Sequence, residues 1–426
     1  MDIKITRPAQ GGVVRAVSSK SEAHRLLICA AFADGGTFVS CPDRGEDVNA
    51  TVRCLRAIGA GIEFDDYGYS VTPADRRLID YNKEYALDCG ESGATLRFML
   101  PICGALGLRA AFYMRGRLPQ RPLTGLYDAM AVHGCKLSTP GLSPLTCQGQ
   151  LTSGKYALPG DISSQFISGL LLALPLLPGD SEIEVTGGVS SRPYIDMTID
   201  ALRLFGFDVP ESGDGLFSVP GGRTGRSPKT ATVGGDWSNA AFWLALGAIG
   251  SDAVTCTGLD PDSRQGDKSV ALFLERFGAR VACSKGGVTV APGMLRGIEI
   301  DAGDTPDLVP ALACVAAVAE GETVIRNAGR LRAKESDRIN SVAALLSALG
   351  ADITETGDGL VIRGKKELSG GETHSFGDHR IVMAAAVIAS RCAGPVTIID
   401  AEAVKKSYPY FFLDYCAGMG GGWEEF

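Results

Sequence analysis

Two patterns of apolar and polar positions interleave along the chain. In the first, an apolar run closes on a glycine and a short β-like run follows, as in AAFADGGTFVS, ALGLRAAFYM, LPLLPGDSEIEV, LGAIGSDAVTC, AVAEGETVI and SRCAGPVTII. Its glycines, Gly35, Gly107, Gly179, Gly250, Gly321 and Gly394, fall 71 to 73 residues apart. In the second, an amphipathic run ends on Gly59, Gly134, Gly206, Gly278 or Gly350, and a worn sixth copy ends near Ala417. Val342, Leu345, Leu346 and Leu349 show the spacing, falling at i, i+3, i+4 and i+7 of one helical face. A glycine at that point suits a left-handed helix cap. Two periodicities that agree predict six units, each reading strand, buried helix, strand, amphipathic helix and two strands around a turn. Gly213 to Gly215 and Lys285 to Gly287 read as hairpin turns within such units.

At 426 residues the chain exceeds what one core usually organises. Six units therefore divide into two lobes of three, and the Gly- and Arg-rich stretch GGRTGRSPKT, 221 to 230, is the expected linker. The composition is that of a globular protein, 45% hydrophobic and 21% charged. A net charge of −8 argues against nucleic acid or an anionic membrane as the main partner. The twelve cysteines show neither a C-x-x-C pair nor zinc spacing, so reduced buried thiols are expected, with no metal and no cofactor. The start MDIKITRPAQ lacks a signal-like apolar core, and FISGLLLALPLLPG is too short to span a bilayer, so a cytoplasmic protein is expected.

Polar residues collect at the starts of the predicted helices. The slots before the buried helices read SSKSEAHR, CGESGATLR, GDISSQF, GDWSNAAF, GDTPDLVP and GDHRIVMA. Helix capping accounts for one polar residue in each. It does not account for Lys20 with Arg25, for Ser163-Ser164-Gln165, or for Asp378-His379-Arg380. A cation at a helix start opposes the dipole by ~0.3–1 kcal/mol. Lys20 makes sense there if a phosphate or carboxylate sits at the helix end, where free N–H groups also attract anions. The slots before the amphipathic helices repeat a cation in Arg44, Arg121, Arg192, Arg264, Lys334 and Lys406. An inherited structural role fits Arg44 and Arg264, whereas Arg121, Lys334 and Lys406 lie among further polar residues. GQLTSGKY, 149 to 156, resembles a phosphate-binding loop but has Tyr156 in place of the needed hydroxyl, and reads as a hairpin turn. His24 and His133 lie within helix patterns and read as packing or surface residues.

Along essentially its whole length the sequence resembles the 5-enolpyruvylshikimate-3-phosphate synthase family of enolpyruvyl transferases. The resemblance is carried by SKSEAHR at 19 to 25, CGESGATLR at 89 to 97, LPQRPL at 118 to 123, GDISSQF at 160 to 166, SSRPYI at 190 to 195, TPD at 305 to 307, LRAKESDR at 331 to 338, GDHR at 377 to 380 and KKSYP at 405 to 409. It implies a two-lobed α/β fold of six βαβαββ repeats, three per lobe, resembling an inverse α/β barrel. It places the first lobe at 19–228 and the second at 1–18 plus 229–426. The implied reaction moves the enolpyruvyl group of phosphoenolpyruvate to the 5-hydroxyl of shikimate 3-phosphate, releasing phosphate through a tetrahedral intermediate, in a monomer. Lys20, Ser21, Arg25, Ser163, Ser164, Ser191, Tyr194, Asp307 and Lys334 would hold shikimate 3-phosphate. Lys20, Gly93, Arg121, Gln165, Arg338, Arg380 and Lys406 would hold phosphoenolpyruvate, with Arg97 and His379 in support. Asp307 would accept the hydroxyl proton and Glu335 would donate one, with Lys20 assisting. The slot GESGAT departs from many relatives, which carry Asn, Ala and Thr around the equivalent glycine, and this bears on affinity for phosphoenolpyruvate and its mimic glyphosate. The sister enzyme acting on a UDP-sugar typically carries a reactive Cys in the loop that here reads RGRLPQRPL, without one.

Overall fold

The computed structural model describes residues 1–160, 162–211 and 215–426. The chain divides into two compact units, one formed by Ser18–Val233 (the central unit) and one by Met1–Val17 with Gly234–Phe426 (the flanking unit). Each has its own apolar core.

In the central unit one repeat shows the plan most plainly. Strand Glu84–Gly90 runs parallel to Arg109–Met114, with helix Gly93–Ala105 crossing over between them. Helix Thr124–Val132 then leads to the antiparallel strands Lys136–Leu137 and Leu145–Gln148, the latter lying beside Arg109–Met114. A second sheet places Thr37–Ser40 beside Gly68–Thr72 and then Gly61–Asp65. Its opening strand is Thr230–Thr232, which pairs in parallel with Thr37–Ser40. The third sheet is Lys155–Pro159, Ser181–Thr186 and Leu216–Val219.

The expected boundary at 228/229 and the expected linker at 221–230 are corrected by these contacts. Asp34 N donates to Gly225 O at 2.7 Å, Asp34 Oδ1 accepts from Ser227 N at 2.8 Å, and Thr37 and Ser227 hydroxyls meet at 2.8 Å. The stretch is fastened to the central unit, and the division falls after Val233.

The flanking unit repeats the plan three times. Gly12–Arg15 lies parallel to Val254–Thr257, followed by Gly287–Ala291 and Arg280–Ser284. Glu299–Asp301 lies parallel to Glu322–Arg326, followed by Leu360–Arg363 and Asp352–Glu355. Gly371–His374 lies parallel to Val396–Ile399, followed by Ile3–Arg7 and Gly422–Glu425. The N-terminal segment thus completes two sheets whose remaining strands come from residues 254–291 in one and 371–425 in the other.

Helices divide by apolar pattern as the periodicity implies. Every residue of Trp237–Ile249, Val309–Ala316 and His379–Ile388 is buried, as expected for helices apolar all round. Val270–Phe277 instead buries only Val270, Phe273, Leu274 and Phe277, a single face. Gly59, Gly134, Gly206, Gly278 and Gly350 all take left-handed φ values between 80° and 106°. A side chain there would strain the backbone, so these positions call for glycine.

Lys285–Gly287 turns an antiparallel hairpin. The turn expected at Gly213–Gly215 falls partly on 212–214, outside the described residues, as does Asp161 of GDISSQF. GQLTSGKY is not a hairpin turn, because Leu145–Gln148 and Lys155–Pro159 belong to different sheets and the stretch passes between them. All twelve cysteines are free thiols.

Candidate active site

In the central unit the first turns of three buried helices are wired together. Ser19 caps helix Lys20–Ala31, Ser92 caps Gly93–Ala105 and Ser163 caps Ser164–Ala173, each through its side chain. Arg25, 2% exposed, extends from the first helix to the third, where Nη2 donates to Ser168 Oγ at 3.2 Å. It also donates to Thr198 Oγ1 at 2.7 Å, Ser21 O at 2.6 Å and Tyr194 O at 2.9 Å. Arg97 Nη1 on the second helix donates to Gln165 Oε1 on the third at 2.6 Å. His24 Nδ1 and Thr51 Oγ1 meet at 2.7 Å, and Thr51 meets Thr95 Oγ1 at 2.7 Å. Burial holds the His24 imidazole well below its usual pKa, with Lys20 and Arg25 adding to the effect. His24 is therefore a neutral packing residue, and His133 stacks on Tyr156.

Among the described residues, every hydrogen bond of Arg25 goes to a neutral acceptor. Burial lowers its pKa to about 10, which still leaves it charged at neutral pH. A buried cation without a bonded carboxylate is costly, and suits a pocket whose counter-charge is an incoming anion. Lys20 Nζ lies 2.8 Å from Asp47 Oδ2, so a carboxylate offsets the cation at that helix start. The guanidinium of Arg121 lies over Gly93, where an added Cβ would come within 2.7 Å of Nη1. Gly93 thus lets a cation approach the N-terminal end of its helix. Ser191 takes a left-handed φ of 53° immediately before helix Arg192–Leu204. Arg44 stacks over Phe64, and Arg192 pairs with Asp196 and Glu211, consistent with structural roles.

In the flanking unit the helix starts converge on Asp307. Its Oδ1 lies 2.6 Å from Arg338 Nη1 and 3.3 Å from Lys334 Nζ, and its Oδ2 lies 3.4 Å from Arg380 Nη2. Burial alone would favour the neutral acid, but Arg380, Lys334 and Arg338 together hold its pKa well below the usual carboxylate value. Arg338 is itself buried and forks among three carboxylates. Besides Asp307 it meets Glu335 Oε2 at 2.6 Å through Nη2 and Asp378 Oδ2 at 2.7 Å through Nε. Asp378 also caps helix His379–Ile388, accepting from Arg380 N at 3.0 Å. Arg380 Nη1 donates to Asp307 O at 3.2 Å and Ser238 O at 3.5 Å, so the starts of three buried helices meet at one guanidinium. Lys406 Nζ donates to Gly377 O at 2.6 Å, just before the same cap. His379 is buried with Nδ1 3.6 Å from Asp378 Oδ1.

The sequence reading missed Asp47, Thr198, Ser168 and Asp267. Asp47 had a signal, since it stands in the PDRGED slot that was read for Arg44. Among the described residues no group of His, Cys, Asp and Glu is arranged to hold a metal ion, and no helix is long and apolar enough to cross a membrane.

Repeats that bundle helix starts behind arginine and lysine, with three carboxylates sharing one guanidinium, suit an enzyme that acts on small anionic substrates. Comparison with known proteins makes the class specific. The model of the EPSP synthase (3-phosphoshikimate 1-carboxyvinyltransferase) family matches residues 4–414. The 3-phosphoshikimate 1-carboxyvinyltransferase of Clostridium kluyveri is 41% identical over 97% of this chain and 96% of its own length. That of Clostridium perfringens strain 13 is 41% identical over 98% of each. The solved EPSP synthase of Acinetobacter baumannii aligns over 100% of both chains with a TM-score of 0.81 at 28% identity. The chain belongs to the EPSP synthase family.

Proposed function

We propose that the residues described above perform the transfer of enolpyruvyl from phosphoenolpyruvate to the 5-hydroxyl of shikimate 3-phosphate, with release of phosphate. In the central unit, Lys20, Ser21, Arg25, Ser163, Ser164, Ser191 and Tyr194 hold shikimate 3-phosphate, and Lys20, Gly93, Arg121 and Gln165 hold phosphoenolpyruvate, with Arg97 fixing Gln165. In the flanking unit, Asp307 and Lys334 serve the first substrate, and Arg338, Arg380 and Lys406 the second. His379 supports the helix start that carries Arg380. The observation that carries this reading is the Arg338 fork, which joins Asp307 and Glu335 at 2.6 Å each. One guanidinium thereby fixes the separation of the two groups that must exchange protons with substrate.

In the addition step Glu335 gives a proton to carbon 3 of phosphoenolpyruvate while the 5-hydroxyl oxygen attacks carbon 2 and passes its proton to Asp307. In the elimination Glu335, ionised by the first step, takes a proton back from carbon 3 as the carbon–oxygen bond to phosphate breaks, restoring the double bond, and the proton held by Asp307 leaves with the phosphate. Lys20 assists the proton transfers. Without substrate, Asp307 is ionised but weakly basic, because three cations surround it. Bound phosphate and carboxylate groups share those cations, which raises its basicity toward that needed by a general base.

The test is phosphate release from phosphoenolpyruvate with shikimate 3-phosphate or with a UDP-sugar as acceptor. Release with the former alone is expected, and release with the UDP-sugar alone would overturn the assignment. We further propose that the chain works as a monomer in the cytoplasm. Sedimentation of the purified chain at one-chain mass is expected, and a stable dimer would contradict it.

A further inference from the structure

A second buried carboxylate besides Asp307 lies within the electrostatic reach of Arg380. Asp267, 2% exposed, lies in the short turn of helix Gly266–Ser269 and accepts a hydrogen bond from Ser238 Oγ. The carbonyl oxygen of that same Ser238 accepts from Arg380 Nη1 at 3.5 Å. Ser238 therefore couples Asp267 to the guanidinium, and Arg380 joins it to Asp307. The segment carrying Asp267 is also fixed in place. Gln265 Oε1 accepts from Trp237 N at 3.0 Å, and Gln265 Nε2 donates to Gly235 O at 2.8 Å. Asp267 thus cannot move away without uncapping the start of helix Trp237–Ile249.

The two carboxylates experience opposite fields. Burial, then Asp307, push the Asp267 pKa up to about 6, against the pull of Arg380 and the Ser238 hydroxyl, and Asp236 adds a smaller push upward. Asp307 is instead held well below the usual value. Environments that drive two neighbouring acids apart assign them different protonation states at one pH. Asp307 stays ionised throughout, while Asp267 changes charge near pH 6.

We propose that Asp267 is a positioning residue that sets how much of the Arg380 charge remains for phosphoenolpyruvate. When neutral it leaves the guanidinium to the substrate, and when ionised it competes with the substrate for the same cation. The inference rests on the assignment of Arg380 to phosphoenolpyruvate made above.

Its test is KM for phosphoenolpyruvate at saturating shikimate 3-phosphate, from pH 5 to 8, for the wild type and for Asp267→Asn. Asparagine keeps an oxygen for the Ser238 hydroxyl and removes the charge. The substrate phosphate also titrates near pH 6. It does so with both proteins, so the ratio of wild-type to variant KM isolates Asp267. The ratio is expected near unity at pH 5 and to rise to about 3–10 by pH 8, the effect of one partly screened charge, with the change falling on KM rather than kcat. Ser238→Ala removes the bond that favours the ionised form, and is expected to move that rise to higher pH. A ratio that is flat with pH, or a loss confined to kcat, would overturn the proposal. Arg380→Lys separates the two levels. If it leaves KM for phosphoenolpyruvate unchanged, the assignment of Arg380 fails and the inference with it; if it raises KM while the Asp267→Asn ratio stays flat, the inference alone fails.

Discussion

Replacing Asp267 by Asn should make the flanking unit more stable at neutral pH. Burial raises the Asp267 pKa from 3.8 to about 6. That difference is about 2 pH units, and each unit is worth ~1.4 kcal/mol, so the ionised side chain costs the folded state about 3 kcal/mol at pH 7. The sign follows from proton uptake. Between about pH 4 and 6 the folded chain holds the Asp267 proton while the unfolded chain has released it, so stability falls as pH rises through this window. Above about pH 6 both states are ionised and the cost is constant; below about pH 4 both are protonated and it vanishes. Asparagine cannot ionise, so the gain from the variant should be near zero at pH 4 and up to ~3 kcal/mol at pH 7.5. Urea unfolding followed by tryptophan fluorescence reads this directly, because Trp237, Trp243 and Trp423 all belong to the flanking unit. Equal shifts at both pH values would mean that packing, not charge, governs the site. No shift at pH 7.5 would refute the charge argument outright. A stabilising substitution at an uncharged-preferring position is what is expected where activity, not stability, retains the residue.

Three further outcomes follow from the same geometry. Asp378→Ala removes a fully buried carboxylate that meets Arg338 and caps the helix carrying Arg380. It should cost about 3–5 kcal/mol in the same urea assay, and a cost under ~1 kcal/mol would mean that Asp307 and Glu335 suffice to hold Arg338. Arg338→Lys keeps the charge, but an ammonium cannot serve Asp307, Glu335 and Asp378 together, so kcat/KM should fall by about 10²-fold or more while Asp307→Asn in that background adds little. Gly93→Ala puts a methyl group 2.7 Å from Arg121 Nη1. The mobile guanidinium can yield, so stability should change by less than ~1 kcal/mol while KM for phosphoenolpyruvate rises about 10-fold; an unchanged KM would remove Arg121 from that role.

The repeat architecture was legible because each unit carries its own punctuation. Gly59, Gly134, Gly206, Gly278 and Gly350 are required by left-handed backbone, and such a requirement is local. The residues bearing charge at the helix starts were legible for the same reason, since capping explains only one polar side chain per slot. Their partners were not. Arg25 is bonded to Ser168 and Thr198, residues 143 and 173 positions away, and no local pattern announces such contacts. Asp267 was hidden in the slot SRQGDK, where the recurrent cation Arg264 drew the reading and proved exposed, whereas burial gives the carboxylate its unusual chemistry. The stretch at 221–230 misled by composition, because its glycines and arginines suggested a free linker while Asp34 and Thr37 bind it to a sheet edge. GQLTSGKY misled by topology, since two strands joined by a short turn need not share a sheet.

The most direct test of the central claim, that Asp307 and Glu335 exchange protons with substrate from opposite arms of Arg338, is single-turnover chemistry in Asp307→Ala and Glu335→Gln, with shikimate 3-phosphate affinity measured in parallel by calorimetry. Each variant should lose about 10²–10⁴-fold in the rate of phosphate release while affinity changes far less. Near-normal rates in either variant, or losses matched by equal losses of affinity, would contradict it.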